Sequence, residues 1–526
     1  MHSLRPFLWL ALFLAISAIP ARSADVFDPR VRFNITIDRG LGTNRLSGRL
    51  LVLMTNRREP QDVIVPSPLE MQTTWICAHE VENLKPGDTL EMDPDILAFP
   101  SALSRAPAGN YQAMALLDTQ HTLGYSGVGP GAVYGPVMRL ADLQPRQGGT
   151  VELKLNRQVP PNPPLADTAT KKLAVLRSEL LTGFWGRAME VRAAVLLPPG
   201  YATSPTRRYP TVYFIHGFGM SSAGAWEDAN GCCGPAPQDL EAGMKAGTWP
   251  EMVYVFLEAS CPLGNHAFAD SVNTGPWGRA LVDEFIPFLE KTYRLESRPA
   301  SRLLTGHSTG GWSALWLQIT HPDFFGGAWA TAPDAVDLRS WSGTDLTKSP
   351  PDNFYRKTGT RPRWLIRADD REMVTVEDFG KWERVLAEYG GQLSSFEAVF
   401  SPRADTGRPL PLFNRETGVI DPEAQAAWSR FDISRVLRAN WERLGPKLAG
   451  KIHITVGTKD SIHLEESVHL LQDTLQPLGS DANFTYLEGR NHFDLYNDGL
   501  AQKMALEMHQ VAHPANPTNP PAARQP

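Results

Sequence analysis

The chain has 526 residues, of which 42% are hydrophobic and 21% charged, with a formal net charge of −6. That length exceeds one compact core and predicts two or three domains. The composition excludes a disordered chain, and the mild negative balance without a Lys/Arg run excludes a nucleic-acid surface.

His2 and Arg5 precede the apolar run FLWLALFLAISAI, and Ala21-Arg22-Ser23 follows with small residues where a signal peptidase reads. The pattern predicts a signal peptide over residues 1–23, with a retained N-terminal anchor as the alternative. The run is short for a membrane span, and no later segment is apolar enough to cross a bilayer. The expectation is export, secreted or periplasmic, with no stable membrane insertion after cleavage.

From residue 24 to 159 the strand-like runs RVRFNITID, GRLLVLMT, NYQAMALLD and TVELKLN are separated by Gly, Pro, Asn and Asp clusters. This rhythm predicts a β-rich, sandwich-like accessory domain. Pro160-Pro161-Asn162-Pro163-Pro164 then reads as a semi-rigid linker over 160–165.

Residues 166–510 read differently. VRAAVLLPPG, YPTVYFIHG, MVYVFLEAS and SRLLTGHS are apolar β-rich runs, and LVDEFIPFLEKTY has helical spacing interrupted by Pro287. KIHITVGTKD, ESVHLLQDTLQPLG and NFTYLEGRNH continue as strand, helix and strand. The alternation predicts an α/β domain, a mostly parallel sheet with helices on both faces. The Pro- and Ala-rich tail, 511–526, is expected to be disordered.

Four cysteines, Cys77, Cys232, Cys233 and Cys261, are too few to staple a chain of this size. Cys261 pairing with Cys232 or Cys233 is one expectation, and the connectivity stays open. Their spacing suits no common zinc site, so neither metal nor cofactor is expected.

Gly306 and Gly310 bracket Ser308 at the spacing G-x-S-x-G, between the strand pattern LLTGH and the helix pattern WSALWLQIT. Small neighbours let a chain turn sharply from strand to helix and present the hydroxyl. A serine needs a base, and in that motif's setting an acid and then a histidine follow at the ends of late strands. Asp460, just past KIHITVGT, and His492, just past NFTYLEGRN, fit that order. Glu488 and Asp494 are rival acids. His463, His307 and His216 are read as structural. The oxyanion that forms on the reacting carbonyl needs fixed N–H donors. Thr309, after the serine, and Phe218, in the Gly-rich turn FIHGFG, are the candidates.

YPTVYFIHGFG, LLTGHSTGGW, VGTKD and GRNHFD together resemble the putative-esterase family of α/β-hydrolases, over roughly residues 185–510. That family includes S-formylglutathione hydrolases, feruloyl and enterobactin esterases, and mycolyltransferases. The resemblance implies an α/β-hydrolase fold with Ser308 as nucleophile, Asp460 and His492 completing a triad, and Phe218 with Thr309 as oxyanion hole. The N-terminal segment is similar to the accessory sandwich of some siderophore and xylan esterases.

The chain departs from that pattern between Trp329 and Lys451, which implies a lid-like insertion at about 330–450. WLIRADD and FEAVFSPR read as strands and DFGKWERVLAEYG as a helix. TGRPLPLFNRETG reads as an exposed loop, and the stretch Arg403–Thr417 is expected to reach over the substrate pocket. Trp312, Trp329 and Trp341 are read as core packing, with pocket lining as the alternative. The function expected is a serine esterase acting on a small-molecule or polymer-linked ester. An acyltransferase with the same triad, a secreted serine peptidase and a non-catalytic binding protein are the alternatives.

Overall fold

The computed structural model describes residues 30–120, 129–161, 166–222, 233–387 and 389–514. The expected signal peptide, most of the expected linker, Cys232 and the tail beyond Pro514 lie outside the described residues.

Along β1 (Arg32–Ile37), Phe33, Ile35 and Ile37 are buried and their neighbours are not, as alternation along a strand requires. β1 lies between β4 (Thr89–Met92) and β9 (Thr150–Leu155) in a three-stranded sheet. It faces a larger sheet in which β2 (Leu46–Thr55) pairs with β3 (Thr74–Leu84) and β6 (Gly109–Asp118). The short strands β5 (Ala98–Phe99), β7 (Val133–Tyr134), β8 (Met138–Leu143) and β10 (Arg157–Gln158) complete that sheet.

β2 has no polar face, and the reason is tertiary. Leu50, Val52 and Met54 pack into the sandwich core, while Leu51 and Leu53 join the main core of the following domain. Arg49, only 2% exposed, donates from Nε to the carbonyl of Val385 at 2.9 Å and from Nη2 to that of Arg384 at 2.5 Å. The β-rich unit therefore grips the last turn of a helix in the insertion, Val376–Leu386.

The second domain is built on an eight-stranded sheet. β11 (Lys171–Arg177), β12 (Glu190–Leu196) and β14 (Val253–Leu257) form its antiparallel edge. β13 (Thr211–Ile215), β19 (Arg302–His307), β20 (Gly327–Thr331), β23 (Ile452–Gly457) and β24 (Asn483–Leu487) follow in parallel. Every residue of β13, β14 and β20 is buried, which explains their unbroken apolar sequences. Two small hairpins, β15 (Ser260–Cys261) with β16 (Gly264–Asn265) and β17 (Asp270–Ser271) with β18 (Gly275–Pro276), fill the connection after β14. This is the α/β-hydrolase fold, preceded by a smaller β-sandwich-like domain. Pro287 is accommodated in LVDEFIPFLEKTY by a wide, π-type turn over Ala280–Phe285 before the helix Ile286–Thr292.

The insertion holds the hairpin β21 (Trp364–Ala368) and β22 (Arg371–Thr375), then the helices Val376–Leu386, Gln392–Phe400, Pro422–Trp428 and Ile433–Leu448. FEAVFSPR, expected as a strand, lies mostly in the second of these helices. Phe396 and Phe400 share one helix face and pack together on Trp341. The stretch Arg403–Thr417 is a loop with most of its residues exposed, but it is anchored to the core. Leu412 and Phe413 are buried, Phe413 stacks on Phe354 at 4.1 Å, and Arg415 pairs with buried Glu397 at 2.8 Å. Its Gly, Pro and Arg content hid two apolar anchors. Cys261 is a free thiol, and the Cys232 half of the expected pairing lies outside the described residues. The last helix, Leu500–Ala512, runs two residues past the boundary expected at 510.

Candidate active site

Ser308 stands between β19 and the helix Thr309–Thr320 with φ 58° and ψ −125°. A serine at positive φ is strained, and the strain persists only where the surroundings impose it. Here the Ser308 N–H donates to the Thr331 carbonyl at 3.0 Å, and the Ser308 carbonyl accepts from Trp312 N at 3.1 Å and Asp334 N at 3.2 Å. The flanking glycines permit the turn. A Cβ on Gly310 would lie 1.9 Å from the Ile215 carbonyl oxygen, and one on Gly306 would lie 2.2 Å from the Gly310 oxygen. No other residue fits either position.

Asp460 and His492, distant in sequence, meet at the ends of β23 and β24. Nδ1 of His492 lies 2.8 Å from Oδ2 of Asp460, and both side chains are buried. The other Asp460 oxygen accepts from the Ile462 amide at 2.9 Å and the Leu464 amide at 3.4 Å. Burial acts to raise the Asp460 carboxyl, but the charge and hydrogen bond of His492 and these two amides outweigh it, holding the group below its ordinary range. A carboxylate bonded at Nδ1 favours the imidazole tautomer in which Nε2 is the basic nitrogen. The His492 ring is 4.5 Å from that of His307, the residue before Ser308. Of the three candidate acids, Asp460 is the one bonded to His492 Nδ1. Asp494 instead accepts from Asn491 N at 2.7 Å and shapes the turn that carries the histidine.

The loop after β13 presses on the serine. A Cβ on Gly217 would sit 3.3 Å from Ser308 Cβ and 3.9 Å from its Oγ, so the Gly217–Phe218 segment borders the hydroxyl. Thr309 opens its helix, where an N–H has no intrahelical acceptor. His216 is wholly buried: Nδ1 lies 2.8 Å from the Gly217 carbonyl and Nε2 3.0 Å from the Ala259 amide. Nε2 also lies 3.1 Å from Glu258 Oε1. The other Glu258 oxygen accepts from the Ser222 amide at 3.0 Å and the Ser222 hydroxyl at 2.9 Å. Burial opposes ionisation of Glu258, yet its bond to His216 and the amides of Ser260 and Ser222 hold the carboxyl well below the usual range.

His307 bonds Thr331 Oγ1 at 3.1 Å, and burial, followed by the charge of His492, pushes it well below its ordinary value. His463 caps the helix Leu464–Leu475 in a left-handed conformation. Trp312 stacks on Trp316 and Trp329 on His453, in core positions.

Three residues that sequence reasoning passed over belong to this site. Asp334, just past β20, accepts a hydrogen bond from Thr309 Oγ1 at 2.5 Å. Burial pushes its carboxyl up to about 6, with the Asp460 charge adding to the shift. Glu258 ends MVYVFLEAS, a strand-end position that the sequence marked without revealing its partner. Arg367, in the strand run WLIRADD, donates from Nε to the Asp460 carbonyl at 2.9 Å and from Nη2 to Glu465 at 2.6 Å. The insertion thus braces the acid from behind.

A hydroxyl on a strained turn, a carboxylate-bonded imidazole and a glycine-containing loop bordering the hydroxyl form an arrangement able to perform acyl transfer. The family model described as "Putative esterase" matches residues 186–494. No curated protein sequence matches the chain. Solved structures resemble it at low identity. A ferulic acid esterase is 15% identical, with 65% of this chain and 99% of that chain covered and a TM-score of 0.42. An S-formylglutathione hydrolase from Agrobacterium tumefaciens is 16% identical, with 66% and 96% covered and a TM-score of 0.39. A ferulic acid esterase from the anaerobic fungus Anaeromyces mucronatus is 15% identical, with 67% and 94% covered and a TM-score of 0.34.

Proposed function

Because residues 186–494 make this chain a member of the putative esterase family, we propose that it hydrolyses carboxylic esters through an acyl-enzyme on Ser308. The observation that carries this reading is the 2.8 Å bond between His492 Nδ1 and Asp460 at the sheet end that also bears the Ser308 turn. Ser308 Oγ attacks the ester carbonyl as Nε2 of His492 takes its proton. Asp460 holds the imidazole in that tautomer and stabilises it once charged. The oxyanion of the tetrahedral intermediate is met by the amides of Phe218 and Thr309. Collapse expels the alcohol, which takes the proton from His492. Water then repeats the sequence on the acyl-enzyme and releases the acid. No step requires a cofactor.

The same reading includes export, on the signal-like pattern of residues 1–23. No helix among the described residues is long and apolar enough to cross a membrane. The test is labelling of the full chain with an alkyl fluorophosphonate, followed by peptide mapping. The expected adduct is on Ser308, with loss of p-nitrophenyl ester turnover in proportion to labelling. Turnover that survives full labelling of Ser308 overturns the reading.

A further inference from the structure

A small cavity of about 60 Å³ lies between the segment after β20, the acid loop and the insertion. Two sides of it are site residues. Asp334, on its wall, donates its amide to the Ser308 carbonyl and accepts from Thr309 Oγ1. Ile462 and Leu464, on another wall, donate their amides to Asp460 Oδ1. The remaining walls come largely from the insertion and are mostly apolar, with Trp341, Leu365, Phe379, Leu393 and Phe396 beside the polar Ser342 and Gln392. A space bounded by the backbone partners of both nucleophile and acid, and mostly greasy elsewhere, suits a hydrocarbon chain attached to the reacting carbonyl.

Its size sets the chemistry. A water-sized group needs roughly 10–15 Å³ measured this way, so the space holds roughly four to six such groups. An acid bearing an aromatic ring or a long alkyl chain exceeds that. Trp341 and Phe396 cannot easily move aside, because they pack edge-to-face on each other at 4.7 Å and Trp341 packs likewise on Trp428 at 5.0 Å. We propose that this cavity is the acyl pocket, and that the insertion sized it for esters of short, unbranched acids of up to about five carbons. The proposal rests on the hydrolase reading above. It moves substrate choice from the Arg403–Thr417 stretch to the helix Gln392–Phe400 and to the segment that carries Trp341.

The test uses the full chain and p-nitrophenyl esters from acetate to octanoate. In the unmodified chain, kcat/KM should peak at five carbons or fewer and fall at least about tenfold by octanoate, since one misfit methylene costs about tenfold or more. Phe396→Ala should raise the octanoate-to-butyrate ratio by about tenfold or more. Ala335→Val, which fills the same space without removing a core side chain, should depress butyrate while sparing acetate. Phe396→Leu stands in if the alanine variant fails to fold, with a smaller shift of the same sign. A peak at octanoate in the unmodified chain, or ratios unchanged in folded variants, overturns the pocket while leaving the hydrolase reading intact. An unmodified chain that turns over no ester and takes no fluorophosphonate overturns both.

Discussion

The hydroxyl of Thr309 donates to the carboxyl of Asp334 at 2.5 Å, which ties the residue behind the serine to a second buried acid. Asp460 follows β23, whereas Asp334 sits just past the end of β20. Its carboxyl is pushed up to about 6 by burial and by the nearby Asp460 charge. In the folded state it therefore holds its proton to higher pH than in the unfolded chain.

The sign of the linked stability change follows. The folded state binds the Asp334 proton more tightly, so its contribution is full below about pH 4 and is lost as pH rises through about 6. The loss is on the order of 3 kcal/mol. Asp334→Asn, which keeps an acceptor for Thr309, should lack this loss. Its melting temperature relative to the unmodified chain should rise between pH 4 and pH 7.5. A difference that stays constant across that range contradicts the prediction.

Asp460→Asn should reduce ester turnover by roughly 10⁴-fold with little change in KM, because an amide holds the wrong imidazole tautomer. Asp494→Asn and Glu488→Gln should stay within about tenfold of the unmodified chain. Steady-state kinetics of the three variants side by side decide it, and a crippled Asp494→Asn would transfer the role of acid.

Gly310→Ala should abolish soluble expression or destabilise the chain severely, since its Cβ would lie 1.9 Å from a backbone oxygen that β13 holds in place. Gly183→Ala is the control. It sits in the helix Glu179–Trp185 with no atom within 4 Å of the added carbon, and should be neutral or stabilising by about 0.5–1 kcal/mol. Soluble yield and thermal midpoint measure both.

Arg49→Met should lower the stability of the full chain by roughly 2–4 kcal/mol, because it strands the terminal carbonyls of Arg384 and Val385 in a buried contact. Arg45→Met, whose bond to the Asn83 carbonyl is exposed, should change it little. The comparison is made by urea denaturation. Equal midpoints would show that the β-rich domain does not hold the helix Val376–Leu386 through this side chain.

Elements whose burial is uniform or strictly alternating were legible from sequence. β13 and β14 read as apolar runs because both faces of the sheet are covered, and β1 alternates because only one face is. The turn at Ser308 was legible because its two glycines answer a local backbone demand, and Asp460 and His492 because each follows a strand. The insertion was harder. FEAVF is apolar at strand-like spacing, and only Trp341 and its neighbours pull it into a helix. The buried anchors Leu412 and Phe413 were masked by the loop-like residues around them.

What the sequence determined by itself is the local grammar: which segments turn, which are covered, and which residues sit at strand ends. Tertiary structure alone decided which side chains share a charge or a wall. The links from Glu258 to Ser222, from Asp334 to Thr309, from Arg367 to Asp460 and from Arg49 to Val385 each join elements with no common pattern. Such pairs depend on the register of parallel strands and on how the insertion folds back. Those are set by packing energy summed over the whole core, which no short window of residues contains.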